Sequence, residues 1–269
     1  MLAEAAQWLA ARGVAVTVVS DGATDLPWPT VERAALADHA DVVIAFGGDG
    51  TLLAAATVLA DAPVPVPVLG VHLGHLGFLT EVRRTDLFDT LTAVIEGRTW
   101  METRLMLEGQ VTRGEERDAA RLALNDIVIT RGSLSRMIEV DVAVDGQSVC
   151  HVRADGLIVA TATGSTAYNL SAGGPIMHPA VDAILLTPIA PHTLTNRPIV
   201  LPASADIVLR PRLDPGDAPV VVTFDGQYGT PIGEGDAVAI RRSSRVLHLL
   251  RTTTRTHFDM LREKLNWGG

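Results

Sequence analysis

Apolar and polar positions along the first 98 residues follow two alternating periods. Residues 2–12 repeat apolar side chains at helical spacing, and Gly13 ends that pattern. Residues 41–46 form a nearly unbroken apolar run, typical of a buried parallel strand, and residues 51–60 return to helical spacing with Thr51 as the expected N-cap. The other predicted elements are strands at 14–19 and 66–71 and a helix at 86–96. This alternation predicts an α/β N-terminal layer with a parallel sheet over residues 1–98.

The pattern changes after residue 98. Residues 99–250 consist of short β-rich segments separated by turn signals, and residues 138–144 alternate with a period of two. The four prolines of residues 187–202 predict an extended loop. The predicted turns are Asp145-Gly146, Asp155-Gly156, Asp225-Gly226 and 233–235. Together these features predict a β-rich antiparallel C-terminal domain over residues 99–250.

The two ends of the chain bear on the α/β layer. Residues 257–267 are predicted to be helical, and residues 251–269 are expected to complete the N-terminal domain. The chain opens directly on a helix at Leu2, whereas a doubly wound unit normally begins with a strand. We therefore predict that the parallel sheet lacks its first strand, and we hypothesise that translation starts upstream of Met1.

Composition and charge exclude several classes of protein. Hydrophobic residues make up 47% of the 269 residues but aromatic residues only 4%, so the core must be mainly aliphatic. A net charge of -9 without a basic stripe argues against nucleic acid as a partner. No apolar run suits a membrane span, and the single cysteine, Cys150, is expected to be a buried strand residue. Because the N-terminus also lacks a basic segment followed by an apolar one, we predict a cytoplasmic protein.

A glycine-rich loop with an aspartate follows the strand at 41–46. Gly47-Gly48-Asp49-Gly50 lies between that strand and the next helix, which is where open α/β sheets bind ligands. Glycines allow close approach of a phosphate, and the first N–H groups of a helix favour an anion. Asp49 would repel that phosphate unless Mg²⁺ bridges them or the carboxylate binds a hydroxyl to be deprotonated. The alternative is that Asp49-Gly50 is only a turn.

Further candidates are polar residues beside apolar segments. Asn125 and Asp126 stand at the start of an apolar run and are candidates to clamp a ribose, with a strand-entry cap as the alternative. His72 and His75 have the spacing of two metal ligands, but no third ligand is evident, which favours a structural or substrate-lining role. His192 is a candidate catalytic residue, although its proline-rich surroundings favour a hydrogen-bonded structural histidine.

Residues 153–179 concentrate small hydroxyl side chains and glycines. A strand is predicted at 157–161, and Arg153 and Asp155 add one charge of each sign before it. Backbone N–H groups and hydroxyls in this density suit sugar or phosphate oxygens better than an ordinary tight turn does. The hydroxyl residues are Thr161, Thr163, Ser165, Thr166, Tyr168 and Ser171.

Taken together, these segments resemble the NAD kinase family over essentially the whole chain, in family order. GGDGT is shared with lipid kinases and phosphofructokinases, whereas TGSTAYNLSAGGP is much more specific. The matching segments are GGDGT at 47–51, GHLGFL at 74–79, LND at 124–126, DGLIVAT through NLSAGGPI at 155–176, PHTLTNRPIVLP at 191–202, DGQ at 225–227 and the terminal LREKLNWG.

The resemblance implies transfer of the terminal phosphoryl group of ATP, or of polyphosphate in some members, to the adenosine-ribose 2′-hydroxyl of NAD. Mg²⁺ would be carried by the nucleotide, without protein ligands for a metal, and the protein would form a homodimer or homotetramer. Asp49 would be catalytic, as proton acceptor or as the group that orients the hydroxyl. The implied substrate-binding residues are Gly48, Asp49, Gly50, Asn125, Asp126, Arg153, Asp155, Thr163, Thr166, Ala167, Tyr168, Asn169, Leu170, Ser171, Ala190 and Gln227.

Three residues depart from the family pattern: Ala54 stands where Arg or Lys is frequent, His72 where Asn is usual, and Ala162 where Pro is common. With the missing first strand, Ala54 and His72 motivate an alternative function, a catalytically weak or degenerate dinucleotide-binding protein. A second alternative is another GGDGT-type kinase acting on a lipid or a sugar. The hydroxyl-rich segment and the Asn125-Asp126 pair favour the NAD kinase interpretation over both.

Overall fold

A computed structural model describes residues 1–19, 27–131, 137–193, 195–214, 220–252 and 255–267. The chain forms two compact units, which we call unit 1 (Met1–Thr103 with Leu247–Gly269) and unit 2 (Arg104–Val246). The predicted domains, 1–98 completed by 251–269 and 99–250, stay a prediction. Among the described residues, no helix has the length and apolar character needed to cross a membrane.

Helices and short strands dominate unit 1, whereas unit 2 is mainly strands. The helices are α1 (Leu2–Ala10), α2 (Asp49–Ala60), α3 (Leu87–Ile95), α4 (Tyr168–Ser171) and α5 (His257–Leu265). The strands are β1 (Val18–Val19), β2 (Thr30–Val31), β3 (Val43–Phe46), β4 (Val68–Val71), β5 (Trp100–Arg113), β6 (Glu116–Arg117), β7 (Arg121–Ala123), β8 (Asp126–Arg131), β9 (Ile138–Val144), β10 (Gln147–Ala154), β11 (Gly156–Thr161), β12 (Ala183–Ile189), β13 (Ile199–Pro202), β14 (Ile207–Arg212), β15 (Val220–Phe224), β16 (Tyr228–Ile232) and β17 (Asp236–Arg251).

Unit 1 contains the predicted parallel sheet. β3 and β4 pair in parallel from Val43 opposite Val68 to Phe46 opposite Val71, and the end of β17 joins β4 in parallel at Leu249. Leu69, Val71 and Leu91 belong to an aliphatic core that α1 and α3 help to cover. The predicted α/β class is confirmed. The predicted strand at 14–19 is wrong in extent, because only Val18–Val19 pairs with another strand.

The start of α2 differs from the prediction. The helix begins at Asp49, its N-cap is Gly48, and no side chain caps it, so the prediction of Thr51 as N-cap is wrong. Thr51 instead packs against Gly47, where an added Cβ would lie 2.2 Å from the Thr51 Oγ1 atom. The glycine at 47 is therefore required by a close approach, and the first N–H groups of α2 have no side-chain partner at the N-cap.

Two antiparallel sheets build unit 2, which confirms the predicted β-rich domain. One sheet has the order β13-β12-β11-β8-β15-β16, and in the other β9 pairs with both β10 and β14. Side chains of both sheets form one aliphatic core that includes Ile129, Val140, Leu157 and Ile207. Cys150 is half-buried in β10 rather than fully buried, and burial raises the pKa of its thiol.

Two of the predicted aspartate-glycine turns are hairpins. Asp145 and Asp225 both have φ of +50° and each is followed by a glycine with positive φ, as type I′ turns require. Asp155-Gly156 is not a hairpin turn, because β10 and β11 belong to different sheets and Gly156 lies inside a sheet between two paired strands. The predicted loop at 187–202 is also shorter than expected, because its two ends belong to β12 and β13.

A buried ion pair lies at the end of β17 in unit 1. Arg251 is only 6% exposed, and its guanidinium lies 3.0 Å from Glu81 Oε2 and 2.8 Å from Glu102 Oε2. Glu81 is equally buried and directly follows Thr80. A buried charge destabilises the fold unless it is paired, so the buried Glu81 carboxylate requires the Arg251 guanidinium.

We predict that Arg251→Ala lowers the free energy of unfolding by about 3–5 kcal/mol, because it removes the cation from between two carboxylates. Urea denaturation monitored by circular dichroism measures this. The matched control is Arg98→Ala, which breaks the exposed Arg98–Glu96 pair and should cost at most about 1 kcal/mol. Equal effects of the two substitutions would contradict the prediction.

Candidate functional site

The Asp49 carboxylate of unit 1 accepts four hydrogen bonds from one loop segment. Its Oδ2 atom accepts the N–H of Phe78 at 2.8 Å, and its Oδ1 atom accepts the N–H groups of Leu79 and Thr80, each at 3.0 Å. The Thr80 hydroxyl donates a further hydrogen bond to Oδ1 at 3.0 Å. Asp49 therefore fixes the backbone of the loop that follows β4, and that loop in turn fixes the orientation of Asp49.

Gly77 allows this loop to lie against Asp49. A Cβ atom at Gly77 would lie 1.9 Å from Asp49 Oδ1 and 2.2 Å from Thr80 Oγ1, far inside van der Waals contact. Gly74, in the same loop, has open space at the corresponding position. The glycine at 77 is thus a requirement of the Asp49 hydrogen bonds rather than of loop flexibility.

The two oxygens of Asp49 differ in their capacity for a further hydrogen bond. A carboxylate offers about four lone-pair directions in total. Oδ1 already accepts three hydrogen bonds, whereas Oδ2 accepts one. A substrate hydroxyl that binds Asp49 is therefore expected at Oδ2. Gly48 and Gly50 are exposed on either side of this half-buried side chain.

In unit 2, Asp225 holds the segment that carries Asn125 and Asp126. Its Oδ2 accepts the N–H of Leu124 at 2.7 Å, and its Oδ1 accepts those of Asn125 at 2.7 Å and Asp126 at 3.0 Å. The N–H of Asp225 donates to the Asp126 carbonyl at 2.9 Å. This hydrogen-bond pattern repeats that of Asp49, with one carboxylate and three consecutive backbone N–H groups.

The same segment is held from its other side by the end of β11. The N–H of Thr161 donates to the Asn125 carbonyl at 2.9 Å, and the Thr161 hydroxyl donates to the Leu124 carbonyl at 2.6 Å. Gly164 packs on this backbone so closely that a Cβ there would lie 2.1 Å from the Asn125 oxygen. The fold thus joins three predicted motif segments, at 124–126, 155–176 and 225–227, at one edge of a sheet.

Asp126 is a buried acid with a strongly shifted pKa. Only 6% of the residue is exposed, and burial, followed by the nearby charge of Asp225, raises its pKa to about 7. Burial raises the pKa of Asp225 as well, but three backbone N–H donors oppose that shift. The three donors favour the ionised form of Asp225, whereas burial and the charge of Asp225 favour the neutral form of Asp126.

The turn after β11 presents some predicted residues to solvent and buries others. Asn169 is fully buried: its amide donates to the carbonyls of Ser165 and Pro175, and its oxygen accepts the hydroxyl of Thr187 at 2.7 Å. Its side chain therefore supports the turn. Thr163 is buried, Thr166, Ala167 and Leu170 are half-buried, and Tyr168 and Ser171 are exposed.

Arg153, Asp155 and Ala190 lie at the other end of β11. Gly156, which follows Asp155, pairs with Ile189 at the start of the strand, whereas Thr161 ends the strand five residues later. These two ends are about 17 Å apart at the usual rise of a strand. Within this chain, the three residues are therefore separated from the 163–171 turn.

The remaining candidates are mostly exposed. Arg153 forms an ion pair with Glu139 at 2.9 Å, and His192 is half-exposed with Nε2 3.9 Å from Asp155 Oδ1. Gln227 is exposed in the hairpin turn that Asp225 begins.

His72 and His75 do not form a common site. His72 is buried with its Nδ1 atom 2.9 Å from the Gly74 carbonyl, whereas His75 is exposed. Over the described parts of the chain, no three His, Cys, Asp or Glu side chains are grouped as metal ligands.

Sequence reasoning missed the roles of Gly77, Thr80 and Asp225. Gly77 belongs to the GHLGFL segment and Asp225 to the DGQ segment, so both were within recognised motifs. Asp225 has the local signal of a turn, and nothing near it in sequence indicates partners about a hundred residues away. The signal that would find such residues is a buried or half-buried carboxylate facing successive backbone N–H groups.

Comparisons with known proteins cover nearly the whole chain. Residues 1–99 match the family described as the ATP-NAD kinase N-terminal domain, and residues 124–252 match the ATP-NAD kinase C-terminal domain. The chain is 41% identical over 266 residues to a protein named NAD kinase from Geotalea daltonii, covering 98% of this chain and 92% of that protein.

Solved structures are similar over the same extent. The yeast NADH kinase in complex with NADH superimposes with a TM-score of 0.88 and 29% identity, covering all of this chain and 83% of that one. The NAD kinase of Archaeoglobus fulgidus in complex with ATP gives a TM-score of 0.72 and 27% identity, covering 94% of this chain and 99% of that one.

We predict that Gly77→Ala reduces enzymatic turnover by about 100-fold or more, because the added methyl group displaces the Asp49 carboxylate. Steady-state kinetics measures the loss. Gly74→Ala is the matched control in the same loop and should stay within a few-fold of the parent protein, since its Cβ meets open space. Similar activities for both variants would show that the Asp49 contact is not required.

We predict that Asp126→Asn stabilises the fold at pH 8 but not at pH 4. An acid whose pKa is raised to about 7 on folding opposes folding increasingly as pH rises from about 4 towards 7. The amide cannot ionise, so it removes this cost. Thermal melting at both pH values measures the difference, with the exposed Asp182→Asn as control. If Asp126→Asn raised the melting temperature as much at pH 4 as at pH 8, the raised pKa of Asp126 would be contradicted.

Proposed function

The chain belongs to the ATP-NAD kinase family, and we propose from this that it phosphorylates the adenosine-ribose 2′-hydroxyl of NAD with ATP, giving NADP. The observation that carries this proposal is the Asp49 arrangement. A carboxylate with a free lone pair on Oδ2 stands at an uncapped helix N-terminus, directly after a parallel strand. Ligands bind at such strand ends in open α/β sheets.

Asp49 has two tasks in this proposal. Its Oδ2 atom accepts the hydrogen bond of the 2′-hydroxyl, which orients the oxygen and takes up its proton as the bond to phosphorus forms. The first N–H groups of α2 and the exposed glycines, Gly48 and Gly50, leave backbone donors open to phosphate oxygens. Phosphoryl transfer depends mainly on such positioning and on charge neutralisation.

We propose that Mg²⁺ enters the reaction bound to ATP. The ion commonly keeps several water ligands and binds through substrate phosphates. Carried by ATP, Mg²⁺ would supply positive charge against the phosphates and against Asp49. The protein's own residues then need only orient the two substrates.

The substrate-binding residues named from the family resemblance remain proposals, and their positions support them unequally. A binding role is best supported for Asn125 and Asp126. Their backbone is held on both sides, and no described residue hydrogen-bonds their side chains, which leaves these available to a ligand. Asn169 is supported only through its backbone, since its side chain is fully engaged. The others are Arg153, Asp155, Thr163, Thr166, Ala167, Tyr168, Leu170, Ser171, Ala190 and Gln227.

We also propose a homodimer or homotetramer in the cytoplasm. Arg153, Asp155 and Ala190 lie at the opposite end of β11 from the 163–171 turn, and that strand is about 17 Å long, so a second copy of the chain offers a way for both groups to contact one NAD molecule. The single cysteine suits a reducing compartment. Light scattering after size-exclusion chromatography tests the assembly, and a monomer that is fully active would contradict it.

We predict that Asp49→Asn keeps most of the NAD affinity but lowers turnover by about 10²–10⁴-fold, the usual contribution of general acid–base catalysis. A coupled assay for NADP formation with NAD, ATP and Mg²⁺ measures turnover, calorimetry measures NAD binding, and thermal melting checks the fold. A near-normal rate in the variant would remove Asp49 from the mechanism. NAD binding without turnover in the parent protein would favour the degenerate dinucleotide-binding protein instead.

A further inference from the structure

Asp225 is hydrogen-bonded to the backbone of Asn125 and Asp126, the two predicted NAD-binding residues, but it is not itself a predicted contact of NAD. Its carboxylate accepts the three successive N–H groups of Leu124–Asp126, and its own N–H returns a hydrogen bond to Asp126. A β-turn aspartate needs none of these contacts. The four hydrogen bonds are long-range, so they hold a backbone segment that local sequence alone would leave free.

The two carboxyl groups of Asp126 and Asp225 also compete for one proton. Asp126 is buried and Asp225 is half-buried, and Asp225 is the charged group that acts on Asp126 within the described residues. On the neighbouring strands, Ala160 of β11 faces Asp126 and Phe224 of β15 faces Ile127, so neither strand adds a charge there. Three N–H donors favour the ionised form of Asp225, whereas no described residue donates to the Asp126 side chain, so we assign the proton to Asp126.

We propose that Asp225 is a positioning residue for NAD, which fixes the backbone of Asn125 and Asp126 and keeps Asp126 protonated, so that Asp126 donates a hydrogen bond to an acceptor atom of the dinucleotide. The inference rests on the proposed function. Acceptor atoms are plentiful on NAD, on the ribose hydroxyls, the carboxamide oxygen and the adenine ring. A protonated carboxyl group offers a donor, which an ionised one cannot.

This assignment makes NAD affinity dependent on pH in a defined direction. The affinity of the parent protein should fall as pH rises through about 7, because Asp126 then loses its donor proton. Removing the Asp225 charge lets Asp126 ionise more easily, so the fall should begin at a lower pH in Asp225→Asn. An amide at 225 also presents an N–H₂ group to a backbone N–H, which loosens the segment.

The experiment measures NAD binding by calorimetry between pH 5.5 and 8.5, with KM and kcat alongside. Asp225→Asn is expected to weaken NAD binding by about 10–100-fold at pH 7, to raise KM more than it lowers kcat, and to move the pH midpoint down. Asp145→Asn is the matched control, because Asp145 begins an equivalent hairpin turn at the same φ of +50°. It should leave NAD affinity and the pH midpoint unchanged.

A merely structural role would show itself differently. If Asp225→Asn lowers only the melting temperature, with KM and the pH midpoint of the parent protein, the positioning role is overturned. If Asp225→Asn does not fold, Asp126→Asn decides the question, because its amide is a permanent donor. Its NAD affinity should be independent of pH over the range in which the parent protein weakens, and a profile like that of the parent would overturn the proton assignment.

The measurements distinguish a failure of this inference from a failure of the proposed function. A parent protein that forms no NADP and binds no NAD would refute the proposed function itself. A parent protein that forms NADP, with an Asp225→Asn variant of unchanged KM and pH dependence, would refute only the role of Asp225.

Discussion

Three consecutive backbone N–H groups converge on one carboxylate at two places in the chain. Asp49 holds Phe78–Thr80 in unit 1, and Asp225 holds Leu124–Asp126 in unit 2. Hydrogen bonds to an ionised acceptor are stronger than those between neutral groups, so one side chain can order a loop or the entry to a strand. The candidate site in each unit depends on this contact, because Asp49 itself and the Asn125-Asp126 pair are side chains offered to a ligand.

Close packing around these contacts depends on residues without a side chain. Gly77 lies against the Asp49 carboxylate, Gly164 against the Asn125 carbonyl and Gly174 against the Asn169 amide, each where a Cβ would come within 2.1 Å of an oxygen. These glycines are not in left-handed conformations. Their function is to let polar groups approach the backbone closely.

Charge in the two units is balanced differently. In unit 1 the buried Glu81 is matched by Arg251, whereas in unit 2 Asp126 is buried beside another acid and has no cation acting on it among the described residues. An unpaired buried acid opposes folding at neutral pH, so its presence is explained better by binding than by stability. Local arrangements that cost stability are expected where a protein contacts its substrate.

The sequence by itself determined the kinds of element, the change from an α/β to a β-rich part and the position of the GGDG loop between β3 and α2. It also determined two hairpin turns, at Asp145 and Asp225, because hydrophobic periodicity and Asp-Gly pairs act through the backbone preferences of neighbouring residues. Only the tertiary structure decided which N–H groups each carboxylate accepts, since the partners are 29–31 residues from Asp49 and 99–101 from Asp225. It also decided that Asp155-Gly156 passes between two sheets and that Asn169 faces inward. A short polar side chain has the same local signal whether it ends in solvent or against a distant backbone, and only folding brings the two segments together.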